Sequence, residues 1–494
     1  MKKKKVLFYI TISILFLIIG TKSSPLYKIN DWYDAECFFT MGKSMMKGIV
    51  PYLDLFEQKG PLLFFIYGIA SLLSENSFLG VFILEIISYT IFLYYIDKII
   101  SLYIDKKYSY ILLPILSLLI LSSRSFTHGG SCEEFCFPML AIITYYLIKY
   151  LKTKQITNKQ VLIIGIMSGF IFWMKYTLLG LTIGFCLIFA IEELKNKNFK
   201  NLFIKSGYFL LGIIITSIPW LIYFGIHKNG IKSLIDIYFL FNMTHYADDL
   251  TWLQKLFHCL NTIKGVLLKY HQYIILIFIP ILLSIKGKIF FEKRIENCYL
   301  LLVVLLELFF LFIGGTNYRY YSLPMQPFMI FGLITIIILL EKIIKEKIIL
   351  KYIVPLSILT VIICLPIAYL RSPNTEYIKK NKSYYAQFTF LEKMKPNSTI
   401  LNYGFLDGGF YLTANTYPNV YYFQKNNIKY HLYPENTEEQ RRYIKEKLVD
   451  YVITRNPKQI DKELLEKNYE LIDIHKQKYE EKYRTYYLYK KRNN

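Results

Sequence analysis

Residues 30–63, NDWYDAECFFTMGKSMMKGIVPYLDLFEQKGPLL, decide how this chain is read. They begin ten residues after an apolar segment that ends at Gly20, and they gather five carboxylates, three lysines and a Gly-Pro step in a sequence that is 54% hydrophobic with a mean hydropathy of +0.32. Asp31 and Asp34 are three apart, so a helix through this stretch sets both on one face, with Trp32, Phe39 and Met46 marking a more apolar surface. Such a helix lies along a membrane and aims a carboxylate into a cavity. Asp31 can alternatively serve as its N-cap; Asp34 falls inside the helix, where a capping role makes no sense. Further on, Gly60 frees the backbone and Pro61 suits a first helical position. That holds Glu57 and Lys59 near a helix amino end, a favourable place for an anion; the alternative for Lys59 is snorkelling to lipid headgroups. The apolar piece that follows, 61–73, is only about 20 Å long as a helix. Counting it as a span inverts the side of every later Lys-rich linker, so it is read as an interfacial helix, and all of 21–77 as an extracytoplasmic loop.

Working outward, apolar blocks of membrane-crossing length recur as far as Leu370, the mark of a polytopic membrane protein. The opening MKKKKVLFYITISILFLIIG has a basic cluster before its apolar run and no small-residue cleavage site after Gly20, so the expectation is an uncleaved anchor with a cytoplasmic amino end. Lys-rich linkers around 98–107, 148–159, 195–205, 285–294 and 341–351 are assigned to the cytoplasm. They alternate with less basic outer linkers, among them the longer 226–265 segment, if 78–97, 108–122, 134–150, 160–173, 176–191, 205–225, 266–284, 298–313, 322–340 and 350–370 each cross once. With the first helix this makes about eleven spans. The formal charge of +23 is distributed over these linkers, which excludes a nucleic-acid face. The seven cysteines are odd in number and lack a CxxC pair, so neither a disulfide framework nor a zinc site is indicated. Beyond 370 the chain turns polar and Tyr-rich, with strand-like runs TILNYGF, VYYF, YVITR, YELIDIH and YRTYYLYKK around a helix-like TEEQRRYIKEKL. The expected fold is therefore mainly α, a helical membrane bundle over 1–370 with a small α/β extracytoplasmic domain over 371–494.

Sorted by this topology, the ionisable residues other than the linker lysines converge on the outer face. Asp31, Asp34, Glu36, Asp54, Glu57 and Lys59 occupy the first outer loop, Arg124, His128, Glu133 and Glu134 the second, Lys175 the third, and Arg319 the GGTNYRYYS loop with Tyr320 and Tyr321. Charges at the mouth of a helical bundle are costly unless they pair, meet water or serve a site, and an outer-surface cavity accounts for all of them. Glu133 and Glu134 differ by about 100° on a helix, so only one points fully inward; an acid at a helix start is also favoured by the macrodipole. Lys175 and Arg319 suit a phosphate or serve only as interfacial anchors. His245, Asp248 and Asp249 are metal-ligand types whose spacing defines no geometry.

An amino-terminal span, an acidic outer loop running into GIVPYLDLFEQKGPL, an acid-bearing second loop, an aromatic-basic YRYYSLP loop and a carboxy-terminal outer domain together resemble the GT-C superfamily of membrane glycosyltransferases. The branch most similar is the bacterial one of protein O-mannosyltransferases and lipid A aminoarabinose transferases. The likeness spans most of residues 1–370, and it implies roles. Asp34 matches the family's catalytic base on the first juxtamembrane helix, with Ala35 where a second acid often stands and Glu36 close by. Lys59, in EQKGPL, matches the lysine that engages the lipid phosphate, with Arg319 and Lys175 as further cations. Asp31, Glu36, Glu133, Glu134, Tyr320 and Tyr321 are placed in the cavity or against the acceptor. Glu57 and Glu134 are the acids through which a divalent metal would be held, the one cofactor the resemblance raises; Arg319 in place of the family's His weakens a His-dependent metal site. The implied activity is inverting transfer of a sugar from a polyprenyl-phosphate donor to a hydroxyl of an envelope glycan, glycolipid or protein on the outer face of the plasma membrane. A polysaccharide polymerase or ligase using lipid-diphosphate glycans is the rival enzyme. A lipid-linked glycan transporter is the rival outside enzymology, disfavoured because transporters place charge near the bilayer midplane.

Overall fold

The structure, a computed structural model, describes residues 2–245, 251–314, 317–344, 346–455, 457, 459–480 and 482–492. It is mainly helical. The first ten helices are α1 (Lys2–Gly20), α2 (Tyr33–Met45), α3 (Pro61–Leu73), α4 (Leu79–Ile100), α5 (Ser109–Leu121), α6 (Cys132–Phe135), α7 (Phe137–Thr153), α8 (Asn158–Lys175), α9 (Gly180–Lys195) and α10 (Phe199–Gly225). Long helices over Arg294–Phe312 and Ile353–Arg371 follow, and between them a 3-10 segment, Arg319–Met329, continues into a helix over Ile330–Ile343. Every one of the eleven expected spans coincides with helix. Among the described residues, six helices are long and apolar enough to cross a bilayer by themselves, or seven if one bent pair is counted as a span. The chain is a multi-pass membrane protein.

The 226–265 stretch, expected as an outer linker, is largely helical where it is described. That stretch carries a π-helix (Leu234–Phe241) and most of the helix Trp252–Lys269, which meets His271–Gly287 at 90°. The local cause is readable afterwards: Thr251 and Gln254 close a reciprocal capping box ahead of the apolar-periodic WLQKLFHCL.

Contacts divide the chain into two compact units. The first comprises Met1–Thr21, Glu85–Trp220 and Ala247–Thr375; the second, Lys22–Leu84, Leu221–Tyr246 and Glu376–Asn494. Within the first, α1, α5 and Ile353–Arg371 pack on one another, as do α9 and Arg294–Phe312. An acid inside the latter seam, Glu307, is fully buried and accepts the Leu181 backbone N–H at 2.6 Å, so it serves an otherwise unpaired donor at the amino end of α9.

The second unit joins the first outer loop to the carboxy-terminal residues. Its four-stranded sheet has the order β1-β2-β4-β3, from β1 (Ile400–Tyr403), β2 (Tyr451–Arg455), β3 (Tyr469–Tyr479) and β4 (Lys482–Lys491). β1 and β2 are parallel in the register Ile400↔Tyr451, and β4 runs antiparallel to both β2 and β3. Of the five expected strands, VYYF at 420–423 is not one. Its carbonyls are taken by scattered donors: Phe56 N–H donates to Tyr421, Asn402 N–H and the Tyr411 hydroxyl to Phe423, and the Gln440 amide to Tyr422, so no ladder forms.

In the same unit α2 packs along α3 so tightly that a Cβ on Gly42 would stand 2.4 Å from the Phe64 carbonyl oxygen and 2.5 Å from the Gly68 nitrogen, both of them backbone atoms. Only glycine allows that approach. Gly42→Ala is therefore expected to lower stability by about 1–3 kcal/mol, the usual cost of overpacking; thermal unfolding of the detergent-solubilised chain checks it, and an unchanged melting temperature would contradict this packing.

Candidate active site

The residues singled out in the sequence fall into two groups, one in each compact unit. In the second unit, α2 is almost wholly buried: of its thirteen residues only Asp34 is not. Asp34, the predicted base, is the one residue of α2 that keeps partial exposure. Glu57 is buried, and its carboxyl is pushed up by desolvation, drawn down by the charge of Lys59 and pushed up again by that of Asp34. These three predicted residues are thus brought within electrostatic reach of one another. Glu57 Oε2 accepts from the Gln424 amide at 2.8 Å and from Cys37 Sγ at 3.5 Å, while the Tyr52 hydroxyl donates to the Lys59 carbonyl. The backbone holding Lys59 is in this way pinned at the foot of α3, where Gly60 is the N-cap and Pro61 opens the helix.

Asp31 and Glu36 are placed differently from Asp34. Asp31 forms an ion pair with Lys22 at 2.6 Å in which both side chains are 1% exposed, and the ammonium lies 3.4 Å from the centre of the Tyr377 ring. Glu36 is fully buried, and neither of its carboxyl oxygens has a hydrogen-bond partner. Burial first, then the charges of Asp407 and Asp31, push its carboxyl well above the usual range, which favours the neutral form. Asp407 is equally buried but accepts from Thr40 at 2.5 Å, from the Gly409 N–H at 2.9 Å and from Asn402 at 3.2 Å. Donors stabilise the charged form, so of this neighbouring pair Asp407 carries the negative charge at neutral pH. Gly409 sits at φ 85° with its Cβ position 2.5 Å from Glu36 Oε1, so any side chain there is excluded twice over.

The Asp407 carboxyl is pushed up to about 6 from 3.8 by burial. A raised acid pKa means that the folded chain takes up the proton before the unfolded chain does. The stability linked to this group is complete below pH 3.8 and lost as the pH rises through about 6. Glu36, whose carboxyl is also raised by burial, acts in the same direction. Asp407→Asn is expected to flatten the fall in melting temperature between those two pH values; a slope identical to that of the parent protein would remove Asp407 as its source.

In the first unit the structure gathers Glu133, Lys175, Tyr320 and Tyr321. Lys175 is ion-paired with Glu133 at 2.6 Å, and its ammonium lies 3.5 Å from the centre of the Tyr321 ring and 5.9 Å from that of Tyr320. A cation expected to meet phosphate is therefore already committed to an acid expected in the cavity. Arg319 opens the 3-10 segment as an exposed residue. Glu133 and Glu134 are both buried, 1% and 2% exposed, so the 100° offset does not leave one of them outside. Glu134 accepts the Gly130 N–H at 2.9 Å, while Ser131 caps α6 through the Glu134 N–H.

Residues that sequence reasoning missed are the buried partners: Lys22, Gln424, Asp407 and Tyr377 each serve a predicted acid or its ion pair, and nothing local marks them. Among the described residues no group of three or more His, Cys, Asp and Glu side chains is placed to hold a metal ion. Glu57 already has Oε2 occupied by an amide and a thiol. Among the described residues, the acids expected to hold a metal are thus not joined by a third ligand. His245 stacks on Phe241 and bonds Thr244, while Asp248 and Asp249 lie outside the described residues.

Residues 58–223 match the family model described as dolichyl-phosphate-mannose-protein mannosyltransferase. No curated protein matches the sequence. Among solved structures the fold is shared with ArnT from Cupriavidus metallidurans, both bound to undecaprenyl phosphate (TM-score 0.60) and in the apo state (TM-score 0.64), at 8% identity over 99% of this chain and 98% of that one. By the segment that matches the mannosyltransferase model, and by a fold shared over nearly its whole length, the chain is similar to the membrane glycosyltransferases of the GT-C superfamily.

Proposed function

We propose that the chain is an inverting glycosyltransferase that moves a sugar from a polyprenyl-phosphate donor to a hydroxyl of a cell-envelope acceptor on the outer face of the membrane. The observation that carries this reading is that α2 buries every residue except Asp34, whose charge and that of Lys59 both act on Glu57, in a chain whose fold is that of a protein solved with undecaprenyl phosphate. A polyprenyl-phosphate donor brings its activating group to the membrane surface, so no nucleotide and no dinucleotide-binding fold is needed.

In the proposed step Asp34 accepts the proton of the acceptor hydroxyl as its oxygen attacks the anomeric carbon. The bond from that carbon to the phosphate oxygen breaks, the configuration inverts, and the lipid phosphate leaves with the electron pair. Lys59 stabilises the negative charge that builds on the leaving oxygen, an interaction stronger in the transition state than before it. Gln424 and Cys37 hold Glu57 in place beside these two groups. Glu36, enclosed and with its carboxyl raised by burial, takes no part in proton transfer and instead packs α2 against Gly409.

The test is to reconstitute the full chain in lipid nanodiscs and supply polyprenyl-monophosphate and polyprenyl-diphosphate sugars separately, following labelled sugar into envelope glycans and glycolipids. Transfer from the monophosphate donor is the expected result. Transfer only from the diphosphate donor would reassign the chain to glycan polymerisation or ligation.

A further inference from the structure

The first compact unit contains a groove of about 930 Å³ that belongs to none of the residues discussed above. Its walls come from α1 (Phe8, Ile12, Leu15) and from the helix Ile353–Arg371 (Val354, Ile358, Val361). Lys5 to Leu15 along one helix and Ile353 to Ile362 along the other each cover about 15 Å, half of a hydrocarbon core about 30 Å thick. The groove therefore has the length of one leaflet, and its volume is at the upper end of the roughly 300–1,000 Å³ that encloses a single small ligand.

One end of the groove is basic. Lys5, Lys98, Lys106 and Lys107 line it together with a single carboxylate, Asp97. That carboxylate is fully occupied: Lys5 donates to its two oxygens at 2.7 and 2.9 Å, Tyr9 adds a hydroxyl at 2.7 Å and Ser109 another. Lys98 is held over aromatic faces, 4.6 Å from the centre of Tyr94 and 4.8 Å from that of Tyr95. Beside Lys106 and Lys107, Asp105 turns to the Lys107 backbone N–H. Among the described residues none of Lys98, Lys106 and Lys107 is ion-paired with a carboxylate.

Three cations without acid partners, at the head of an apolar channel one leaflet long, are complementary to one class of molecule. We propose that this groove binds a membrane glycerophospholipid with an anionic phosphate headgroup, the headgroup among the three lysines and an acyl chain between α1 and Ile353–Arg371. The site makes no use of Asp34 or Lys59, so it stands independently of the proposed transferase reaction.

The full chain, purified in mild detergent and offered phosphatidylglycerol, phosphatidylcholine of the same chain length or undecaprenyl phosphate, reports the occupant by native mass spectrometry. Phosphatidylglycerol is expected to be retained and phosphatidylcholine not. Replacing Lys98, Lys106 and Lys107 together by Gln is expected to lower phosphatidylglycerol retention by about tenfold or more. Ile358→Trp, which fills the channel and leaves the lysines in place, is expected to lower it as well. Equal retention of the charged and zwitterionic lipids, unchanged retention in both variants, or preferential retention of undecaprenyl phosphate would each overturn the assignment.

Discussion

Asp34→Asn is expected to reduce sugar transfer by about 10²–10⁴, the range lost when a positioned general base is removed, with no loss of folded protein. The two halves of that expectation have separate causes. Asparagine has nearly the shape of aspartate, and position 34 is the one place on α2 where the side chain is not enclosed, so the helix keeps its packing. The amide cannot accept a proton, so only the chemical step suffers. Neighbouring acids do not rescue it: Glu36 is enclosed, its carboxyl raised by burial, and Glu57 is buried and bonded to Gln424. The informative measurement is the single-turnover rate of donor consumption beside the melting temperature of the same preparation. A variant that transfers at nearly the parent rate removes Asp34 from the base role and leaves the fold assignment untouched.

Lys22→Met is expected to have the largest effect on stability, about 3–5 kcal/mol, because it strips a buried acid of the counter-ion paired with it. Asp31 and Lys22 are each 1% exposed, and burial pulls the lysine down from its ordinary range while Asp31 holds it up. With the ammonium gone, Asp31 must stay charged in an enclosed site or take up a proton, and either costs free energy. The lost contact with the Tyr377 ring adds to this. The double variant Lys22→Met with Asp31→Leu is expected to recover most of the loss, since an apolar pair of similar volume carries no desolvation penalty. Equal melting temperatures for the parent and Lys22→Met would mean that water reaches this pair.

Much of the architecture was legible because its signals are local. Apolar runs of bilayer length mark helices without reference to anything distant, as with Leu79–Ile100 and Ile353–Arg371. The Gly-Pro step placed the start of α3 at Pro61, where the structure has it. Signals that depend on competition from distant residues were less legible. VYYF has the composition of a strand, yet its carbonyls are claimed by scattered donors from elsewhere in its unit. The 226–265 stretch reads as a linker because its charged and polar residues interrupt the apolar runs, while its capping box and periodicity make it helical. Lys175 has the chemistry of a phosphate ligand, and only its 2.6 Å pairing with Glu133 reveals its partner.

By itself the sequence determined that this is a multi-pass membrane protein, that acids cluster in a few of the linkers between its apolar segments, and that Asp34 lies within a helix, because helical period, hydropathy and proline geometry act over a few residues. Only the tertiary structure decided which of those acids stays open and which are sealed. Asp407, Gln424 and Tyr377 come from more than three hundred residues further along the chain to meet Glu36, Glu57 and Lys22. The protonation and availability of a carboxyl depend on its burial and on the donors around it, and those are properties of packing that no short stretch of sequence encodes.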